Sequence, residues 1–180
     1  MTEDRGLPVA PVAEWLTELG ITPVETAERE GVRSWDLLLD GRVRRRVRAT
    51  LILDPALALV GWVHYAPPLT DSVRRAYRQL LRWNDEIPFA KFSISTDDRP
   101  ILSAELPALA LSRDAVGVLL ARLLAICDLL YPESAKWVDR ISAKAAAGAE
   151  PDPAGRRLIE RYAAELGELG SVGTDAHGSG

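Results

Sequence analysis

The chain has 180 residues, 47% of them hydrophobic, with 26 acidic against 22 basic side chains and a formal net charge of −4. That apolar share suffices for one core. A pI near 5.3 argues against a polyanion such as nucleic acid as partner, because the acidic remainder would repel it. One cysteine, Cys127, excludes an internal disulfide or a cysteine-built zinc cluster and fits a reducing compartment. No basic-led apolar run opens the sequence, and Pro8 and Pro11 interrupt its first apolar residues, so no signal peptide is expected. The longest apolar-rich run, Ala115 to Tyr131, carries Arg122 and Asp128 and is expected to fall short of a bilayer span. A soluble, cytoplasmic protein is the expectation.

In chain order, Val9 to Leu19 spaces Val12, Trp15, Leu16 and Leu19 along one face of a helix that Gly20 stops. Glu25 to Glu30 breaks the apolar pattern and reads as a polar lead-in. Val32 to Leu39 and Val43 to Leu53 flank Asp40-Gly41, which predicts a hairpin. A two-residue turn would set Trp35 and Leu37 against Arg46 and Arg44. A three-residue loop, Leu39-Asp40-Gly41, gathers Trp35, Leu37, Val43, Val47, Ala49, Leu51 and Leu53 on one face instead. It leaves Ser34, Asp36, Arg44, Arg46, Arg48 and Thr50 on the other, and is preferred for that segregation. Arg45 is left to snorkel past Trp35.

Leu57 to Tyr65 predicts a third strand with two largely apolar faces, one carrying Leu59 and Val63 and the other Val60 and Trp62. Such a strand calls for cover on both sides, the outer one from a partner subunit or a C-terminal helix. Thr70 and Asp71 open a second helix burying Val73, Ala76, Tyr77, Leu80, Leu81 and Asn84, with Arg74, Arg75, Arg78 and Arg82 outside. Between Pro88 and Pro107, Ala90, Phe92 and Ile94 alternate with Lys91, Ser93 and Ser95. Leu102, Ala104 and Leu106 alternate with Ser103 and Glu105, which predicts a second hairpin across Thr96 to Pro100. Ser112 caps a third helix, apolar nearly all round, that should end at Tyr131-Pro132. Glu133 to Ala147 predicts a fourth, with Trp137, Val138 and Ile141 inward, and Ala154 to Leu169 a fifth.

The organisation expected is thus a flexible N-terminus (1–8), one α+β domain (9–147), a linker (148–153), a C-terminal helix (154–169) and a disordered tail (170–180). Its fold class is an antiparallel sheet, a three-stranded meander plus a β-hairpin, with helices packed on it.

Leu80-Leu81-Arg82-Trp83-Asn84, then Ile87-Pro88-Phe89-Ala90-Lys91-Phe92-Ser93-Ile94, then Glu105-Leu106-Pro107 and a helix ending Tyr131-Pro132 resemble the YbjN family, whose members are taken as bacterial sensory-transduction regulators. The resemblance covers about residues 9 to 138 and leaves the C-terminal helix outside. It implies a fold similar to the class I chaperones of type III secretion, a non-enzymatic protein-binding or regulatory role, and dimerisation as in those chaperones. It carries no catalytic motif. Asn84 is expected to tie the helix end to the next strand, and Phe89 and Phe92 to serve the sheet.

Chemistry-bearing residues are sparse. His64 and His177 are the only histidines, too few for a histidine-built metal site or triad. Asp85, Glu86 and Glu105 read as solvated charge, Cys127 as a buried small hydrophobe, and no glycine-rich phosphate loop precedes a helix. No cofactor, metal or catalytic residue is expected. Residues 42–82 hold nine arginines against two aspartates, a balance of +7 that leaves −11 for the rest. The protein is therefore expected to hold a partner protein, or its own copy, through exposed sheet and apolar helix surface, with Arg44, Arg46, Arg48, Val60 and Trp62 as candidate binding residues. Neither nucleic acid nor membrane is expected as partner. The rival expectation is a ligand sensor or enzyme in the concavity between the second helix and the sheet, using His64, Asp85 or Glu105.

Overall fold

A computed structural model describes residues 11–69, 74–145, 153–167 and 169. Six antiparallel strands form one open sheet in the order β1-β2-β3-β4-β6-β5. They are β1 (Glu25–Arg29), β2 (Val32–Leu39), β3 (Val47–Asp54), β4 (Ala58–His64), β5 (Lys91–Ile94) and β6 (Pro100–Pro107). The helices are α1 (Val12–Glu18), α2 (Arg74–Glu86), α3 (Arg113–Ala145) and α4 (Ala154–Arg161). The expected α+β class, a meander plus a hairpin with helices packed on the sheet, is what forms.

The first helix ends as its sequence dictates. Gly20 takes φ +73°, the Ile21 N–H donates to the Leu16 carbonyl at 2.8 Å and the Gly20 N–H to Thr17 at 2.9 Å, a Schellman closure. The expected residues Val9 and Ala10 lie outside the described ones. Three expectations change here. Glu25 to Glu30 is not a lead-in: Glu30 and Gly31 both adopt positive φ, +54° and +80°, the two-residue turn that suits a hairpin. Glu25–Arg29 therefore pairs with β2 as an edge strand. All five of its residues are exposed, so it has no apolar alternation to betray it.

The second change concerns the β2–β3 connection. Leu39 pairs with Val47, so residues 40 to 46 form one long loop instead of a three-residue bulge. The apolar face survives, because Trp35, Leu37, Leu39, Val47, Ala49, Leu51 and Leu53 are all buried, but Val43 leaves it. The reason is a side-chain anchor. The Asp128 carboxylate of α3 accepts the backbone N–H groups of Arg42, Val43 and Arg44 at 2.6, 3.0 and 2.7 Å. The buried Asp40 accepts the Arg46 N–H at 2.7 Å and pairs with Arg45 at 2.9 Å. A Cβ on Gly41 would stand 2.4 Å from the Asp128 Oδ1, so only glycine lets the loop approach this carboxylate.

The third change is in α3, which does not end at Pro132 but runs through it to Ala145. Proline deprives the Asp128 carbonyl of its helical donor, yet tertiary contacts on both sides hold the axis. Ser134, fully buried, bonds the Leu130 carbonyl at 2.8 Å and the Tyr65 hydroxyl at 2.7 Å, and Val138 is buried beyond it. The Ser112 cap is as expected, its Oγ accepting the Ala115 N–H at 3.1 Å. The segment Arg113–Lys136 is long and apolar enough to cross a membrane by length and composition. In this fold Val116, Leu119, Leu120, Leu123, Leu124, Ile126 and Leu130 are buried in the core. Leu119 and Leu123 lie so close to β4 that a Cβ on Gly61 would meet each at 2.9 Å.

On the same face as α3, α2 buries Ala76, Leu80 and Trp83, with Ile87 buried just past its end, while Leu81, expected inside, is exposed. Trp83 and Tyr65 stand 6.1 Å apart and Tyr65 and Phe92 5.0 Å, both edge to face. Thr70, Asp71 and Val73, expected in α2, lie outside the described residues. So do the N-terminus, most of the expected linker, the tail and the side chains of Trp137 and Ile141. The C-terminal segment turns after Arg161 and packs on α3, with Gly155 against Asp40 at the end of β2: Leu158, Ile159, Tyr162 and Leu166 are buried there, and the Tyr162 hydroxyl donates to Asp114 at 2.8 Å. Most of the apolar excess of α3 is thereby buried within one chain, Leu129 excepted.

Candidate functional site: the open sheet face

Because the buried strand residues, Ile101 beside His64 excepted, lie on one side, alternation leaves the other face of the sheet without a helical cover among the described residues. Pairing register draws its rows. One runs Glu25, Asp36, Thr50, Trp62, Ser103, Lys91 across all six strands, and the next Ala27, Ser34, Ile52, Val60, Glu105 across five. At the centre stands Trp62, 40% exposed. With Val32, Ile52 and His64 it lines a shallow groove of about 480 Å³ that reaches Ala27 and Arg29 at the β1 edge. Its floor is apolar and aromatic, its rim charged.

His64 closes one end. Burial, then repulsion from Arg99 and Arg48, holds its imidazole below the ordinary value of 6.5. Its Nδ1 is buried with no partner among the described residues, so the ring faces Asp36, Arg48 and Thr50 as a neutral group.

The structure brings together three of the five sequence-predicted residues, Arg48, Val60 and Trp62. Arg44 and Arg46 are corrections, since the long loop removes both from the strand. Arg44 turns inward, only 8% exposed, with its guanidinium 4.6 Å from the Tyr65 ring centroid and bonded to the Tyr65 carbonyl. Arg46 adopts φ +54° in the loop. The expected arginine stripe therefore does not form. Nor does Arg45 snorkel past Trp35; it pairs with Asp40.

His64 and Glu105 do share the open face, but Asp85 is exposed on α2, which packs on the covered one. The space between α2 and the sheet is filled by Trp83, Tyr65 and Phe92, so the concavity imagined there is core. Cys127 is fully buried, and burial pushes its thiol up to about 11. His177 lies outside the described residues. Among the described residues no three of His, Cys, Asp and Glu group to hold a metal.

The residue-level expectations for the motif separate cleanly. Asn84 ties α2 to β5, its Nδ2 donating to the Phe92 carbonyl at 3.0 Å and its Oδ1 accepting the Phe92 N–H at 2.5 Å. Phe92 is buried in the sheet's covered face. Phe89 is not: it is exposed, takes φ +61° and lies with its ring 5.2 Å from the Arg122 guanidinium carbon.

Fold and face together define an α+β protein with helices on one side of its sheet and an uncovered aromatic groove on the other. Over residues 8–136 the chain matches the YbjN family, described as "Putative bacterial sensory transduction regulator", and it belongs to that family. None of the curated proteins compared matches it. α4 and the segment after it fall outside the matched region.

Proposed function

We propose that this protein is a non-enzymatic, cytoplasmic regulator that holds a partner protein, or a second copy of itself, on the open face of its sheet. The observation that carries this reading is Trp62, 40% exposed at the centre of a sheet face whose opposite side carries the packed core. Exposed aromatic centres with polar surroundings are the usual anchors of protein contacts. The family description supports a regulatory role. The charged rim, with Glu25, Asp36 and Arg48 toward the β1 side and Lys91 at the β5 edge, supplies orientation more than affinity.

The test is affinity capture from the native cell with the full chain, comparing wild type, Trp62→Glu and, as a control on the outer side of α2, Arg78→Glu. Wild type and R78E are expected to recover the same protein, or in light scattering the same dimer, and W62E neither. Equal recovery by W62E, with its circular dichroism unchanged, overturns the assignment of this face.

A further inference from the structure

A second cleft, about 400 Å³, lies between the β2–β3 loop, α3 and the C-terminal segment, and shares no lining residue with the open sheet face. Its size falls in the range of small-ligand sites, roughly 300–1,000 Å³. The walls are Val43, Leu129, Ile159, Ala163, Leu166 and Leu169. Two of them are apolar groups that folding leaves wet, Val43 at 55% and Leu129 at 40% exposure. Four of the six lie beyond residue 136, where the family match ends, so the cleft is an addition of this chain to the family domain.

Two ionisable side chains line it, and they differ in how far they are compensated. Asp128 accepts three backbone amides, whose dipoles offset its charge. The Arg42 guanidinium has no partner among the described residues, since only its backbone N–H is engaged. Nearby, Arg156 donates its Nε to the Gly41 carbonyl at 3.2 Å, and its Nη2 is buried with no partner. The cleft is therefore an apolar trough whose one carboxylate is taken up by backbone amides and whose one guanidinium, on Arg42, is left available, and the loop bearing Arg42 is already fixed by Asp128 and Asp40, so little ordering remains for a ligand to impose.

We propose that this cleft binds a medium-length aliphatic carboxylic acid, with its chain along Leu129, Ile159 and Leu166 and its carboxylate on Arg42. A cation would meet Arg42 and find the lining carboxylate, Asp128, already engaged by three backbone amides. An extended peptide needs backbone groups to pair with, and the loop's amides at residues 42–44 are already committed to Asp128. A neutral apolar molecule would leave the arginine without a counter-charge, whereas the acid satisfies both the trough and the arginine.

Isothermal titration of the full chain with octanoate, below its micelle concentration, tests this, with octanol and octylammonium as head-group controls. Saturable one-to-one binding of octanoate is expected. Arg42→Gln should weaken it about tenfold, as should replacing the acid by the alcohol, and octylammonium should not bind. Ala163→Trp, an exposed position on the cleft wall, should remove binding while leaving circular dichroism unchanged. Octanol binding as tightly as octanoate, unaltered binding by A163W, or no saturable heat overturns the proposal. Should A163W unfold, the three head groups on the wild type decide the matter. The Trp62 capture experiment concerns another face and is unaffected by either result.

Discussion

The side-chain amide of Asn84 grips both backbone groups of Phe92, donating to its carbonyl at 3.0 Å and accepting its N–H at 2.5 Å. β5 is an edge strand, so at this residue the amide takes the place of the ladder partner the strand lacks, and it closes that edge to other chains. The opposite edge, β1, is guarded only by exposed charged and small side chains.

Asn84→Ala should therefore cost about 1–3 kcal/mol, the usual effect of leaving buried backbone groups unpaired, and make the protein more prone to self-association through β5. Asn84→Asp is the sharper variant. It keeps the acceptor for the Phe92 N–H but sets a carboxylate against the Phe92 carbonyl, and should be no more stable than the alanine. Urea unfolding and light scattering measure both; an unchanged midpoint in N84D would sink the account.

Asp128 anchors a loop from inside a helix. Asp128→Ala should lower stability by about 2 kcal/mol, because three amides lose a charged acceptor at once, and Asp128→Asn should fall between it and wild type. Hydrogen exchange at the amides of residues 42–44 should quicken in both variants. Wild-type protection of those amides in D128A would refute the anchor.

The depressed pKa of His64 makes a pH prediction whose sign follows from linkage. The folded state favours the neutral ring, so the unfolded state binds the proton first as pH falls. Stability is complete above about 6.5 and is lost progressively as pH drops from there toward the lower folded value. His64→Gln should flatten that part of the profile. Asp97 and Asp114 have carboxyls held below the usual range, Asp97 chiefly by its hydrogen bond from Ser95 and Asp114 by Arg113. Their losses come at lower pH, so the two legs are separable by urea midpoints across pH 3 to 8. A wild-type profile that stays flat between pH 7 and 5 would contradict this.

Cys127 should be inert in the native protein. Its thiol is fully buried and raised to about 11, so the thiolate is scarce at pH 8 and has no access to reagent. Labelling by an aromatic disulfide reagent should wait for unfolding and be complete in urea. Rapid stoichiometric labelling in native buffer would show that the core around α3 opens.

The alternation of Trp35, Leu37, Ala49, Leu51 and Leu53, and of Leu102 with Ala104, was enough to read the sheet and its inward face, because period-two burial is a local signal. Asn84 and Ser112 were legible for the same reason: a helix end and its cap lie within a few residues of one another. Arg44, Arg46 and Asp128 were not. An aspartate within the apolar run Ala115 to Tyr131 announces that something must satisfy it, but its partners, the amides of residues 42–44, lie 84 to 86 positions away. That remote anchor converted an expected short turn into a long loop and dissolved the arginine stripe.

By itself, then, the sequence determined the class of fold, the covered face of the sheet, the Gly20 stop of α1 and the Ser112 cap of α3, since each depends on spacing within a short stretch of chain. Only the tertiary structure decided where α4 goes, whether α3 stops at Pro132, and which arginines meet solvent. Those outcomes depend on which distant surfaces meet: α4 found α3 before the sheet, and Tyr65 with Ser134 held the helix past its proline. The uncovered side around Trp62 is what remained once those contacts had formed.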